Sequence, residues 1–375
     1  MPIQKAGGKK DGKQRYRVRI NYTDKDGKAH QIERVAYGLA EANELEIRLK
    51  AEIGQQETAK RMTVQGLFDE YAASKSHELR ESTLDKSKRI LQLNVLPTLG
   101  GYRIDRLSTT VLQKWKNEIG ERDLSTCTKQ NIFAAFRALL NYAVKMEYLP
   151  KNPLTSIGNF REAYFEKPAE KLQYYTPEQF QKYIKVARDY AEQDGTITGW
   201  GYYVFFAMAY YTGMRKGEIN ALKWSDIDAN IIHVRRSIAQ KLKGPDRETP
   251  PKNRSSYRDL QAPKPLIKIL EEYKSMQQQI DGYSDDFRVC GGPTCLRDTS
   301  IENKNKMFAK ASDLPHIRIH DFRHSHASLL ANEGINIQEI ARRLGHSKIE
   351  ITWNTYSHLY PREEERAIQV LNKIR

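Results

Sequence analysis

Between residues 13 and 21 the chain alternates, with Lys13, Arg15, Arg17 and Arg19 on one side and Tyr16, Val18 and Ile20 on the other. A period of two predicts a strand with one basic face and one apolar face. Asp26-Gly27 is a hairpin-turn signal, and residues 31–36 supply a return strand. From 39 to 53 the period becomes helical: Leu39, Ala42, Leu45, Leu49 and Ile53 share one face that would cover the sheet. A basic strand face backed by a helix suits a DNA major groove.

A second block is helical throughout. Ser82 or Thr83 can cap a helix reaching Val95, and Pro97-Thr98-Leu99-Gly100-Gly101 closes it. Thr109 starts another, with Val111, Leu112 and Trp115 inward. Residues 126–146 form the longest, with Ile132, Phe133, Phe136, Leu139, Leu140, Ala143 and Val144 as an apolar stripe, and Lys129 and Arg137 off it. Pro150, Asn152 and Pro153 end the block, which predicts a small four-helix bundle. A charged segment without apolar periodicity follows and reads as a linker. The third block opens on Thr176-Pro177-Glu178-Gln179, a helix start with proline in its first position. It mixes helices with one evident strand, 230–238, and a basic, proline-containing stretch from 241 to 260.

Charge sharpens this picture. Lys plus Arg outnumber Asp plus Glu by 62 to 47, giving +15 over 375 residues and a pI near 9.4. So basic a chain points to a polyanionic partner, above all nucleic acid. The three cysteines, Cys127, Cys290 and Cys295, are too few for a disulfide framework, and no stretch approaches membrane-spanning length. The first ten residues have no apolar run, so no signal peptide is expected. The expected setting is a reducing cytoplasm, with no membrane partner.

Several residues could do chemistry. Arg215 follows an apolar stretch, 203–211, and a Thr-Gly break that presents it at a helix start, with Glu218 one turn on to pin it. Arginine suits phosphate because its planar fork donates two parallel hydrogen bonds and keeps its charge. His320 and Arg323 share a helix face, with Phe322 turned to the core. His316 and His320, and His320 and His324, have metal-ligand spacing, but Asp321 is the nearby carboxylate and no metal is expected. Gly345 ends a helix over 337–344, and Ser347 with Glu350 could form a capping box for the next, which carries Tyr356. Residues 338–360 also fit a helix-turn-helix, which would not explain Arg215. A phenol must be activated to attack phosphorus, and neighbouring cations would lower its pKa. Tyr360 is the rival nucleophile. Lys241, Lys243 and Lys252 can each supply a proton to a leaving group.

Together Thr-Gly-Met-Arg215-Lys-Gly-Glu218-Ile, Pro251-Lys252 with Ser255, His320-Asp-Phe-Arg323-His, Leu-Gly-His346-Ser and Thr355-Tyr356-Ser-His358 resemble the tyrosine recombinase (phage integrase) family. Most similar are the integrases of temperate phages and integrative conjugative elements. The resemblance covers the third block closely, likens the second to a core-binding domain, and likens the first to an arm-binding domain.

It implies a multidomain, mainly α protein with small β elements. Residues 1–60 would be an arm-type DNA-binding domain with a three-stranded sheet, the third strand being implied by the resemblance alone. Residues 61–160 would be a helical core-binding domain, 161–173 a linker, and 174–375 an α+β catalytic domain with a C-terminal tail. Tyr356 would attack a DNA phosphate to form a 3′-phosphotyrosyl bond. Arg215 and Arg323 would hold the non-bridging oxygens, His346 would add a hydrogen bond, His320 would assist proton transfer, and Lys252 would act as general acid. Arg15, Arg17, Arg19, Lys129 and Arg137 are the expected DNA contacts outside the site. No cofactor is implied. Double-stranded attachment-site DNA, a homotetramer, an excisionase and a host DNA-bending protein are the implied partners. The tail 362–375 could dock on a neighbour or on its own domain. A silent architectural DNA-binding protein and a type IB topoisomerase are the competing readings.

Overall fold

The computed structural model describes residues 2–23, 29–161, 172–239, 247–250, 254–360, 368, 371 and 372; for 23, 52–61, 239, 247 and 254 it describes the backbone alone. The Asp26-Gly27 turn, Lys241, Lys243, Lys252, most of the 161–173 segment and most of the tail lie outside the described residues. The chain divides into two compact units, 1–166 and 167–375.

The first unit begins with an antiparallel sheet of β1 (Ile3–Lys10), β2 (Lys13–Thr23) and β3 (Ala29–Tyr37), with β2 central. β1 is the implied third strand. Its Gly7-Gly8 and its register shift between Lys5 and Lys9 leave it no alternating apolar signature. The β1–β2 turn is Asp11-Gly12, both at positive φ (51° and 76°), which matches the right-handed twist of the paired strands. On β2, Val18 and Ile20 are buried, and α1 (Leu39–Arg61) covers them with Ala42 and Leu49. α1 continues well beyond residue 53. Leu39, expected on the covering face, is 55% exposed because it precedes the first full turn.

The bundle of the first unit comprises α2 (Val64–Lys75), α3 (Glu81–Asn94), a one-turn α4 (Leu96–Leu99), α5 (Thr109–Glu121) and α6 (Thr126–Lys145). Thr63, Ser108 and Ser125 cap α2, α5 and α6 by accepting a backbone N–H three residues on. α3 departs from expectation. It starts at Glu81 after an uncapped Arg80, so Ser82 and Thr83 lie inside its first turn. Trp115 fills the centre edge-on to Phe136, and its indole N–H donates to Asn94 O at 2.9 Å.

In the second unit α7 (Pro177–Asp194) has a full capping box between Thr176 and Gln179. α8 (Ile197–Thr212) is buried on nearly every side, as an apolar run without periodicity must be. α9 (Lys216–Ala221) follows a left-handed Gly213. The expected 230–238 strand is two strands in two sheets. β4 (Ile227–Asp228), β5 (Ile231–Val234) and β8 (Arg258–Gln261) pair in that order, while β6 (Ser237–Ala239) pairs with β7 (Arg247–Thr249). The break falls at Arg235-Arg236, whose guanidiniums turn to Asp259 and Asp226.

Among the described residues the unit continues with α10 (Lys264–Gln277), α11 (Asp298–Ala311), α12 (Asp321–Asn332), α13 (Ile337–Leu344) and α14 (Ile349–Tyr356). Tyr183, Phe206, Phe308 and Phe322 join α7, α8, α11 and α12 through edge-on aromatic contacts. The expected Ser347–Glu350 capping box is absent. α14 starts after Lys348, which leaves Ser347 one residue outside the capping position.

Gly213 is a tight point of this unit that also needs a left-handed backbone. At φ 64° a Cβ there would sit 2.8 Å from His326 and 3.0 Å from Leu344. Gly213→Ala should therefore destabilise the protein by about 1–3 kcal/mol in denaturant melts. A variant as stable as its parent would show that the turn relaxes around the methyl group.

Candidate active site

Arg215 occupies the position just before α9, where the left-handed turn at Gly213 delivers it. Its backbone N–H donates to Glu218 Oε2 at 3.0 Å and its Nη1 donates to Glu218 Oε1 at 2.8 Å, the pinning expected from their spacing. Glu218 is 3% exposed and has a second cation. Arg258 Nη2 on β8 donates to the same Oε2 at 2.8 Å. Burial raises the Glu218 pKa, but Arg258 and then Arg215 outweigh it, so the carboxyl is held below its ordinary range and stays ionised. Arg258 also donates from Nε to Arg343 O at 2.6 Å and from Nη1 to Ser256 O at 3.1 Å.

Arg323, on the first turn of α12, is 2% exposed. Its Nη1 donates to Gly213 O at 2.9 Å and its Nη2 to Leu344 O at 2.6 Å. Burial, and then the charge of Arg215, lowers it to about 9, so it remains a cation at neutral pH. The two carbonyls belong to the turns that present Arg215 and His346. One guanidinium thus fixes two chain reversals, and Arg215 Nη2 reaches Gly345 O of the second at 3.5 Å.

His346 follows the left-handed Gly345, where a Cβ would come within 3.1 Å of Arg258 Nη1 and of Ser255 O. Its Nδ1 lies 2.8 Å from Thr352 Oγ1. Burial, with Arg323 and Arg215 behind it, lowers His346 to about 4. His320 stands just before α12, and burial, then His324 and Arg323, lowers it likewise to about 4. Both imidazoles are neutral at pH 7 and can each donate one hydrogen bond.

Tyr356 ends α14 with its ring among Ala327, Ala331, Ile340 and Leu344, 2% exposed. The phenol pKa is raised, not lowered. Burial outweighs the single nearby cation that opposes it, Arg323. Its Oη lies 2.6 Å from Nδ1 of His324, not of His320. His320 instead sets its ring edge-on to His324, centroids 5.2 Å apart. Tyr360 Oη donates to Ile335 O at 2.6 Å and is thereby occupied.

Five of the six expected catalytic residues therefore gather in the second unit around Arg323, and the sixth, Lys252, lies outside the described residues. Two participants went unassigned from the sequence, Arg258 and His324. The i, i+4 spacing of His324 from His320 was a signal, read there as metal-like. Arg258 gave none, because a buried arginine on a short strand looks like its exposed neighbours. In the first unit, Arg17 and Arg19 on β2 both pair with Glu33 at 2.8–2.9 Å, and Arg15 is half-buried. Lys129 donates to Gly120 O at 2.7 Å, and Arg137 is exposed.

Two guanidiniums, two neutral imidazoles and a phenol, with Glu218 and Asp321 as buried carboxylates beside them, have the chemistry to receive a singly charged phosphodiester. Residues 174–363 match the phage integrase family, and residues 63–120 match the N-terminal SAM-like domain of phage integrases; the chain belongs to the phage integrase family. It is 29% identical over 354 residues to the ICEBs1 integrase of Bacillus subtilis (strain 168), a similarity covering 91% of each chain. Its fold resembles that of the Tn1549 transposon integrase in complex with transposon right end DNA, with TM-score 0.63 and 20% identity over 84% of this chain and 100% of that one. It also resembles the lambda integrase tetramer bound to a Holliday junction, with TM-score 0.54 and 15% identity over 91% and 95% of the two chains.

Glu218→Gln should leave two close guanidiniums without a buried counter-ion, at a cost of about 3–5 kcal/mol in denaturant melts; a loss under ~1 kcal/mol would mean that solvent already screens the pair. Stability should also depend on acid. His326, buried and bonded through Nδ1 to Tyr210 O at 2.9 Å, is lowered to about 3, mainly by burial, and His320 and His346 to about 4. The unfolded chain takes up protons near 6.5 that the folded chain refuses. Stability is thus complete above about pH 6.5 and falls as pH drops towards 4. Melting temperatures at pH 7.5 and 5.0 would read the slope, which His326→Gln should shallow; an equal loss in that variant would remove His326 from the account.

Proposed function

We propose that this chain is a site-specific DNA recombinase that integrates and excises a mobile element through a 3′-phosphotyrosyl intermediate. The observation that carries the reading is the pairing of Arg215 and Arg323 across Gly213 and the 344–346 turn, with Tyr356 near enough to feel the Arg323 charge. In the proposed reaction the Tyr356 oxygen bonds to phosphorus and the bond to the 5′ oxygen breaks. Arg215 and Arg323 take up the charge that builds on the non-bridging oxygens. His346 donates a hydrogen bond to one of them, and Lys252 protonates the leaving 5′ oxygen. A 5′ hydroxyl from a partner strand reverses these steps. Phosphoester energy is conserved in the intermediate, so the scheme needs neither a nucleotide nor a metal.

Residues 1–60 are proposed as an arm-type DNA-binding domain, 61–160 as the core-binding domain, 161–173 as a linker and 174–375 as the catalytic domain. Arg15, Arg17 and Arg19 on β2, with Lys129 and Arg137 on α6, are the proposed DNA contacts. Arg17 and Arg19 must trade Glu33 for phosphate, which lowers their net contribution. Four copies joining two duplexes is the proposed assembly, in keeping with the lambda integrase tetramer on a Holliday junction. An excisionase and a host DNA-bending protein are proposed as accessory factors.

The test is a suicide duplex carrying the ends of the element around the gene, found by sequencing its flanks. The unaltered chain should form a covalent adduct. Tyr356→Phe should form none, yet bind the same DNA and melt within about 1.5 kcal/mol of the parent, since it loses one hydrogen bond and keeps its ring packing. An undiminished adduct in that variant would reassign the nucleophile.

A further inference from the structure

We propose that His324, rather than His320, accepts the proton of Tyr356 as the phenol attacks phosphorus and returns it when the strands rejoin. The inference rests on the function proposed above.

The geometry is direct. Tyr356 Oη and His324 Nδ1 are 2.6 Å apart, within the range in which a proton passes along a hydrogen bond. His320 makes no hydrogen bond to the phenol; its ring lies edge-on to His324 at 88°, where it restricts the turning of that imidazole. His324 is also next in sequence to Arg323, on the first turn of α12. His324 and Tyr356 both feel the Arg323 charge, so a phosphate held by that guanidinium would lie near the attacking oxygen and its base.

The electrostatics leave the imidazole unprotonated and free to accept. Burial lowers the His324 pKa against the opposing pull of Asp321, while Arg318 and Arg323 lower it further. The neutral ring then carries its proton on Nε2 and offers Nδ1 as acceptor. The phenol, kept protonated by burial, is the donor. In the step, the Oη–phosphorus bond forms as the bond to the 5′ oxygen breaks, and the phenol proton moves to Nδ1. The 5′ oxygen takes its proton from a separate acid, the role proposed for Lys252. The imidazolium formed has the buried Asp321 carboxylate nearby, which Arg318 holds through its backbone N–H at 2.8 Å.

The experiment compares adduct formation by the full chain on the suicide duplex. His324→Gln should lower the rate about 100-fold, the usual worth of a positioned base. Placing a difluorinated tyrosine, whose phenol is far more acidic, at position 356 alone should restore most of that loss, because a phenol already ionised needs no base. A structural defect would not respond. His320→Gln should show no such rescue. An adduct at the parental rate in His324→Gln, or a loss that fluorination leaves untouched, overturns the assignment while leaving the recombinase reading intact. No adduct from the unaltered chain overturns that reading and this one with it. Should His324→Gln fail to fold, imidazole nitrogen NMR of the unaltered protein decides. At pH 7 Nδ1 of His324 must be unprotonated and Nε2 protonated; the reverse tautomer overturns the proposal.

Discussion

Glu218 sits between two arginines, and the site exists because of it. Arg258, buried, and Arg215, 38% exposed, bring their guanidiniums close together, and like charges repel. One carboxylate accepts from both. The same contact joins α9 to β8, and Arg258 extends it through Arg343 O to the end of α13. Positive charge is thereby assembled before any ligand arrives, as the proposed grip on phosphate requires.

Arg323 solves a related problem by other means. Among the described residues it makes no direct ion pair, and it spends two donors on Gly213 O and Leu344 O. Both acceptors lie at helix C-termini, where carbonyl groups have no partner within the helix and the backbone dipoles favour a cation. A buried positive charge is thus tolerated mainly through backbone oxygen, with the Glu218 charge in support.

The sequence was most legible where chemistry and local pattern coincide. Arg215 with its Glu218 pin, the His320/Arg323 turn, the glycine before His346 and the amphipathic helices of the bundle could be read from spacing, since each is decided within one or two turns. Boundaries decided by tertiary partners were read wrongly: the strand broken at Arg235-Arg236, the start of α3, the capping of α14 and the exposed Leu39. β1 was hidden because its glycines and bulge erase alternation. The largest misjudgement concerned the phenol. Cations near Tyr356 argued for a lowered pKa, but counting charges along a sequence says nothing of desolvation, and packing among Ala327, Ile340 and Leu344 prevails. Arg258 and His324 were missed for the same reason: their roles depend on which way a side chain points after folding.

α8 bears on how the protein is made. Its residues 197–212 are buried on nearly every side, and its partners include α10 and α12, which are synthesised long afterwards. While the chain is growing, this apolar helix has α7 to cover it and little else, so the nascent protein carries a bare hydrophobic surface until α12 emerges. Arg215 hangs from the end of that helix, and the contacts of Arg323 with Gly213 O and Leu344 O arrive only with α12 and α13. A ribosome-bound fragment that ends before α12 therefore exposes an apolar surface, yet lacks Arg323 and Tyr356. Premature release is a hazard of aggregation and not of stray strand cleavage.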